Sequence, residues 1–288
     1  MRKAVLLVLA SLMAFGCSRA RSESIALTNK GIKAYQHQEI PEAITMFEGA
    51  ISLYPKNDQA RYQLGMIYLH DRKDPESAAR ELNEAYKINP KDAEIAFQLG
   101  RLALSKGDTD GATTRFQEAQ KLNPKHVGAM YWTADILVKK GKLTEADELF
   151  RKAIATDPGY ARAYAGLGSM YLEAGAEAEA MAVFKEAIRI NPDDAECHHN
   201  LGLSYLSLGN VDAAIGELTR SLELDPENLN GAFNLANALI RKERLREAMF
   251  YLKKFIVTAT AAGARNDLIE PARLVLQTVQ LAINEQGL

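Results

Sequence analysis

Apolar residues along this chain recur in steps of three and four, the spacing that lines one face of an α-helix, and this pattern is itself copied at a longer interval. Pro90, Pro124, Pro158, Pro192 and Pro226 are each 34 residues apart, and Pro55 stands 35 residues before Pro90. A repeat of this length marks one supersecondary unit stacked on copies of itself. One column within the unit holds Ala43, Ala78, Ala112, Ala146, Ala180, Ala214 and Ala248. Four residues later comes a large apolar side chain on the same helical face: Phe47, Leu82, Phe116, Phe150, Phe184, Leu218 and Leu252. A third column is small: Gly31, Gly65, Gly100, Ala134, Gly168, Gly202 and Ala236. Small residues let two helices cross closely, and the large ones fill the space between them. Each unit is therefore expected to be a helical hairpin. Its second helix ends where Asn89-Pro90, Asn123-Pro124, Asp157-Pro158, Asn191-Pro192 or Asp225-Pro226 makes a turn, since proline cannot extend the hydrogen-bond ladder.

Seven units fit the columns, at 24–57, 58–92, 93–126, 127–160, 161–194, 195–228 and 229–262. A single hairpin buries too little to stand alone, so stability must come from neighbours, with the ends sealed by atypical segments. The seventh unit has Thr260 where proline is expected, and Thr258 to Ala264 leave the pattern. A last amphipathic helix is expected to begin near Asp267 to Pro271, with Ala272, Val275, Leu276, Val279 and Ile283 as its apolar stripe. Residues 263–288 are expected to cap the stack, the alternative being a docking helix for a partner.

The columns resemble the W-x2-L-G-x2-Y, A-x3-F and P signature of the tetratricopeptide repeat. That resemblance implies an all-α, right-handed superhelical solenoid of seven helix-turn-helix repeats with a C-terminal capping helix. It also implies a peptide-binding groove lined by the first helix of each repeat, at repeat columns two, five, six, nine, twelve and thirteen. Column six carries Asn29, Gln63, Gln98, Trp132, Asn200 and Asn234, with Gly166 in the fifth repeat. It is similar to the asparagine ladder that binds peptide backbone in the repeats of O-linked N-acetylglucosamine transferase. An amide side chain donates and accepts, so it can pair with a peptide group whatever the sequence. Column five carries Tyr62, Phe97, Tyr131 and Phe233 together with His199. These rings suit apolar anchors of a ligand, or equally packing between adjacent first helices. Charged groove positions are mixed, with Arg101, Lys139, Arg162 and Arg241 against Glu94, Asp135, Glu173 and Glu196. The carboxylate clamp of the heat-shock co-chaperones is not reproduced, so an extended segment or a folded protein is the expected partner. Trp132 is the chain's one tryptophan and stands where the fourth repeat departs most from the pattern, beside Thr133, Ala134 and Asp135.

The N-terminus reads as an export signal over residues 1–16: Arg2 and Lys3, an apolar run from Ala4 to Phe15, and Gly16 before Cys17. Ala14-Phe15-Gly16-Cys17 resembles a lipobox, which implies cleavage before Cys17 and its acylation. The alternative is an ordinary secretory signal with an incidental cysteine. Residues 17–23 are then a lipid-anchored linker, reaching about 20 Å if extended. Ser18 stands where an aspartate would imply inner-membrane retention, so the expected location is the outer membrane, facing the periplasm.

Composition alters this picture little. The 288 residues are 47% hydrophobic and 25% charged with a formal net charge of -2, ordinary for a folded protein and too weakly charged to suggest nucleic acid. No Walker A, G-x-S-x-G, H-E-x-x-H or paired C-x-x-C occurs, and the repeats leave no room for a catalytic domain. Gly166-Leu167-Gly168 falls inside a helix of the fifth repeat and belongs to the packing column. Cys197-His198-His199 invites a metal reading, yet consecutive helical residues point about 100° apart and do not readily share one ion. Neither an enzyme, a cofactor nor a metal is expected. The expected function is a lipid-anchored protein-interaction scaffold or assembly factor in the bacterial envelope, its layout resembling the repeat-bearing pilotins of secretin assembly. The alternative is an adaptor that recruits cell-wall enzymes or proteases.

Overall fold

The structure, a computed structural model, describes residues 2–285, with side chains from residue 18 onward. The described residues form fifteen α-helices and no strand, which makes the chain all-α. In chain order these are α1 (Arg2–Gln36), α2 (Ile40–Leu53), α3 (Asp58–His70), α4 (Pro75–Ile88), α5 (Ala93–Ser105), α6 (Thr109–Leu122), α7 (Val127–Lys139) and α8 (Leu143–Thr156). They continue with α9 (Ala161–Glu173), α10 (Glu177–Ile190), α11 (Ala195–Ser207), α12 (Val211–Leu224), α13 (Leu229–Arg241), α14 (Leu245–Ala261) and α15 (Asn266–Glu285). The helices form two compact units, Met1–Ile136 and Leu137–Leu288.

In the first unit α1, α3 and α5 pack on α2, α4 and α6, and α2 and α4 also meet the first helix of the next repeat. The columns of the sequence explain why. Every alanine of the alanine column is fully buried, at 0% exposure, as are Phe47, Leu82 and Phe116 opposite. A Cβ added at Gly100 would lie 2.6 Å from Cε1 of Phe116, and one at Gly65 would lie 2.9 Å from Cγ of Leu82. The first helix thus presents a bare backbone, and the second helix's large side chain lies flat upon it. The helix starts are capped by side-chain acceptors: Asn57 takes the N–H of Ala60, Asp74 that of Ser77, and Asp92 those of Glu94 and Ile95.

The second unit repeats this scheme with α9 on α10, α11 on α12 and α13 on α14. A Cβ at Gly168 would meet the Phe184 ring at 2.8 Å, and one at Gly202 would meet Leu218 at 2.7 Å. Gly168 therefore serves packing. Turns between paired helices use glycine with φ near +75° at Gly107, Gly141, Gly175 and Gly209, a conformation that favours a residue without Cβ. At the C-terminal end α15 packs on α14 through Ile269, Ala272, Val279 and Ile283. Lacking the closing proline, α14 runs 17 residues where the earlier second helices run 14. The expected break at Thr258 falls instead after Ala261, where Gly263 turns the chain at φ +69°.

The N-terminal segment differs from the expected extended linker. Ser18 to Glu23 are helical and continue into the first repeat as part of α1, held by an Arg19–Glu23 ion pair and by Ser22 Oγ donating to the Ser18 carbonyl. At about 1.5 Å per residue they span roughly 9 Å, less than half the extended reach. The side chains of the leader and of Cys17 lie outside the described residues. Among the described residues no helix is long and apolar enough to cross a membrane.

Candidate functional site

The first helices of the first unit carry a cleft of about 360 Å³ lined by Leu69 and His70 of α3, Arg101, Leu104 and Ser105 of α5, and Trp132 of α7. Leu102 completes its apolar wall. These positions are columns six, nine, twelve and thirteen of the repeat, apart from Leu102. Trp132 is half-buried and fixed by two rings: it stacks on Phe116 at 6.4 Å and 13°, and Tyr131 meets it edge-on at 5.2 Å. Phe116 is itself fully buried, so the indole rests on the core of the third repeat with part of its surface exposed. Arg101 is half-buried and donates one bond, 3.3 Å, to Oε1 of Gln98. Burial holds the His70 imidazole below its ordinary pKa, and the charges of Arg101 and Lys73 add to the effect.

The amide column divides in two. Asn29 is exposed, while Gln63, Asn200 and Asn234 are half-buried, and the side-chain amides of all four lack a hydrogen-bond partner among the described residues. Gln98 is different. At 5% exposure, its amide donates to Glu94 at 2.7 Å and its carbonyl accepts from Arg101, so both ends are occupied. It positions Arg101 rather than presenting a free amide. The cause is His126, just ahead of α7: its Nδ1 accepts from the Ala129 N–H at 3.1 Å, which leaves the ring proton on Nε2 to bond Glu94 at 3.2 Å. This bond, more than any other contact, holds the Glu94 carboxyl below the usual carboxylate range.

The ring column also divides. Phe97 is buried, its ring seated over Gly128 of the next repeat, where an added Cβ would come within 2.9 Å, and against His126 at 4.5 Å. It is a packing residue and is withdrawn from the candidate site. Phe233 is half-buried and tilts against Phe255 at 5.4 Å. Tyr62 and Tyr131 are half-buried, and burial together with the Glu94 charge pushes the Tyr62 phenol well above its ordinary value. Asp135 is half-buried on α7, one turn beyond Trp132. Leu69, His70, Leu104 and Ser105 were missing from the expected set, although their columns were in it. The signal that marks them is spatial convergence on Trp132.

Elsewhere, Cys197 is buried and its thiol pKa is raised by burial, while His198 bonds Glu217 through Nδ1 at 2.6 Å and the Pro192 carbonyl through Nε2 at 3.1 Å. These side chains are tied into the protein, and no group of three or more metal-ligating side chains comes together among the described residues.

The family follows from comparison. Tetratricopeptide repeat models match residues 28–93, 97–161, 137–201 and 195–228, and the chain belongs to the tetratricopeptide-repeat family. Among solved structures it is similar to MamA, at 26% identity and a TM-score of 0.51, over 57% of this chain and 96% of that one. It is also similar to PilF of Pseudomonas aeruginosa, at 22% identity and a TM-score of 0.54, over 67% of this chain and 91% of the other. A tetratricopeptide repeat protein from Parabacteroides merdae aligns over 90% of this chain and 99% of its own, with 17% identity and a TM-score of 0.63. The last two likenesses show the fold alone. Among curated proteins nothing matches. Repeats of this kind form protein-interaction scaffolds, and that is the class to which the chain belongs.

Proposed function

We propose that this protein is a lipid-anchored scaffold of the bacterial envelope that holds an extended segment of a partner protein along the first helices of its repeats. One observation carries the reading: in each unit the first helices turn open groups outward, a side-chain cleft and the unpartnered amide of Gln63 in the first and the unpartnered amides of Asn200 and Asn234 in the second, while the opposite faces of these helices are consumed by packing. Solvated amides cost nothing while empty and can each satisfy a peptide group when filled. The lipobox-like run before Cys17 supports the anchor, and Ser18 supports the outer membrane as its address. Within that reading an assembly role of the pilotin type is favoured by the layout of lipid cysteine, short link and all-repeat body.

The test is site-specific photo-crosslinking in intact cells with the lipid-bearing protein. A crosslinker replacing Asn234 should capture a partner, and one replacing exposed Gly216 on α12 should not. Capture from position 216 alone would place binding on the second helices and refute the proposal. Loss of secretin multimers in a strain lacking the protein would support the pilotin form, whereas altered cell-wall fragments with intact secretin would support the adaptor instead.

A further inference from the structure

The cleft around Trp132 has a chemical character of its own. Its walls are leucines and an indole, and its volume lies near the bottom of the roughly 300 to 1,000 Å³ range of binding pockets, enough for a side chain or two. Its rim carries one cation, Arg101, with Asp135 on α7 one turn beyond Trp132. Arg101 has five guanidinium donors and spends one on Gln98, and among the described residues no carboxylate pairs with Arg101 or with Lys73. The carboxylates nearby keep their charge but have other donors: Asp71 accepts from Tyr35 at 3.2 Å, Asp74 caps α4, and Glu94 accepts from Gln98 and His126, so none of these three takes the donors that Arg101 leaves unused.

The turn that follows His70 is unlike the others. Between α3 and α4 it has four residues, Asp71 to Asp74, where every other pair of helices in a repeat is joined by three. Lys73 itself sits in left-handed backbone at φ +54°, where four of the shorter turns use glycine. The second repeat thus accommodates an added residue and a β-carbon in a conformation that disfavours one, and the exposed residue placed there is a lysine. The His70 imidazole is harder to protonate chiefly through burial, then through Arg101 and Lys73, with Asp71 opposing them.

We propose that this cleft is a socket for an apolar partner residue flanked by aspartate or glutamate, so that the segment recognised is extended, apolar and acidic. The inference rests on the first-helix face being the binding surface and adds the chemistry of what it selects. The apolar side chain enters between Leu69, Leu104 and Trp132. The neighbouring carboxylate remains at the rim and takes the donors that Arg101 leaves unused, in the fork geometry that suits a planar carboxylate. Apolar contact supplies area while the charge selects, because an Arg site left without its acid forfeits charge-assisted bonds.

The experiment is a phage-displayed random-peptide selection against the full chain, repeated with Arg101→Gln and with Trp132→Ala. Circular dichroism and thermal melting confirm that each variant is folded. Peptides chosen by the wild type should be enriched in an apolar residue next to Asp or Glu. Arg101→Gln should keep the apolar preference and lose the acidic one. A selected peptide, acetylated and amidated to remove its terminal charges, is then titrated against its Glu→Gln counterpart by the emission of Trp132, the chain's one tryptophan. The acidic peptide should bind about tenfold more tightly to wild type and within about twofold of its counterpart to Arg101→Gln. Unchanged selection by Arg101→Gln, or wild-type peptides without acidic enrichment, overturns the socket even when Asn234 crosslinks a partner. Failure of the wild type to select any peptide, with capture from position 216 alone, overturns the socket and the face together.

Discussion

Gly100 and Gly216 both lie inside helices, and their surroundings give the same substitution opposite signs. Replacing either with alanine improves helix propensity by about 1 kcal/mol. At Gly216 a Cβ meets nothing within 4 Å, so Gly216→Ala should stabilise the protein by about 0.5–1 kcal/mol. At Gly100 the added carbon would stand 2.6 Å from a ring that is fully buried and has nowhere to go. Overpacking of that kind costs about 1–3 kcal/mol, so the propensity gain is outweighed and Gly100→Ala should destabilise. Urea midpoints of the two variants decide the matter; a shift in the same direction for both would mean that the small column is not a close-packing column. A larger enlargement of the same kind, Ala180→Leu in the fully buried alanine column, should also cost about 1–3 kcal/mol. Both columns were legible in the sequence because close packing leaves no latitude at these sites, and a constraint repeated in every unit becomes a pattern.

At the scale of elements, the start of α3 shows what repetition hides. Asn57 is 6% exposed; its carbonyl oxygen accepts from the Ala60 N–H at 2.9 Å, and its amide donates to Ser24 Oγ at 2.8 Å and Thr28 Oγ1 at 2.9 Å. One side chain both caps α3 and ties it to α1. Ser24 Oγ in turn donates to the Ala50 carbonyl at 2.7 Å and Thr28 Oγ1 to the Ser24 carbonyl at 2.9 Å, so neither hydroxyl has a proton to spare. Asn57→Ala should therefore cost about 2–3 kcal/mol, the cap plus buried hydrogen bonds. Asn57→Asp keeps the cap but faces two committed hydroxyl oxygens with a carboxylate, and it should fall well below wild type as well. Hydrogen exchange should locate the loss in α1 to α3; an Asp variant as stable as wild type would show that the amide bonds contribute nothing. Sequence reading passed over Asn57 because a polar residue between helices looks like any turn. Its partners are 29 and 33 residues away, and only the stacking of hairpins brings them together.

For the whole molecule, the proposed anchor and the repeats meet in α1. Because Ser18 to Glu23 are helical, the first repeat would sit within about 9 Å of the acylated residue. Cys17→Ser should abolish palmitate incorporation and leave the protein uncleaved or mislocalised, since cleavage and acylation both need that sulfur; a wild-type protein that is soluble after export and takes up no palmitate would refute the anchor. What the sequence by itself determined is the all-α repeat, its hairpin unit, the packing columns and the columns that face away from the core. Each is set by local periodicity and steric need, which recur at fixed spacing. Depth and company within a column were decided by tertiary structure alone. Gln98 and Gln63 share a column, yet His126 and Glu94 immobilise one amide while the other is unpartnered, and Phe97 sinks over Gly128 while Tyr131 stays near the surface. The cleft likewise joins residues from three first helices. Helical periodicity records the direction in which a side chain points, whereas its burial, charge environment and partners are set by the neighbouring repeat that packs against it.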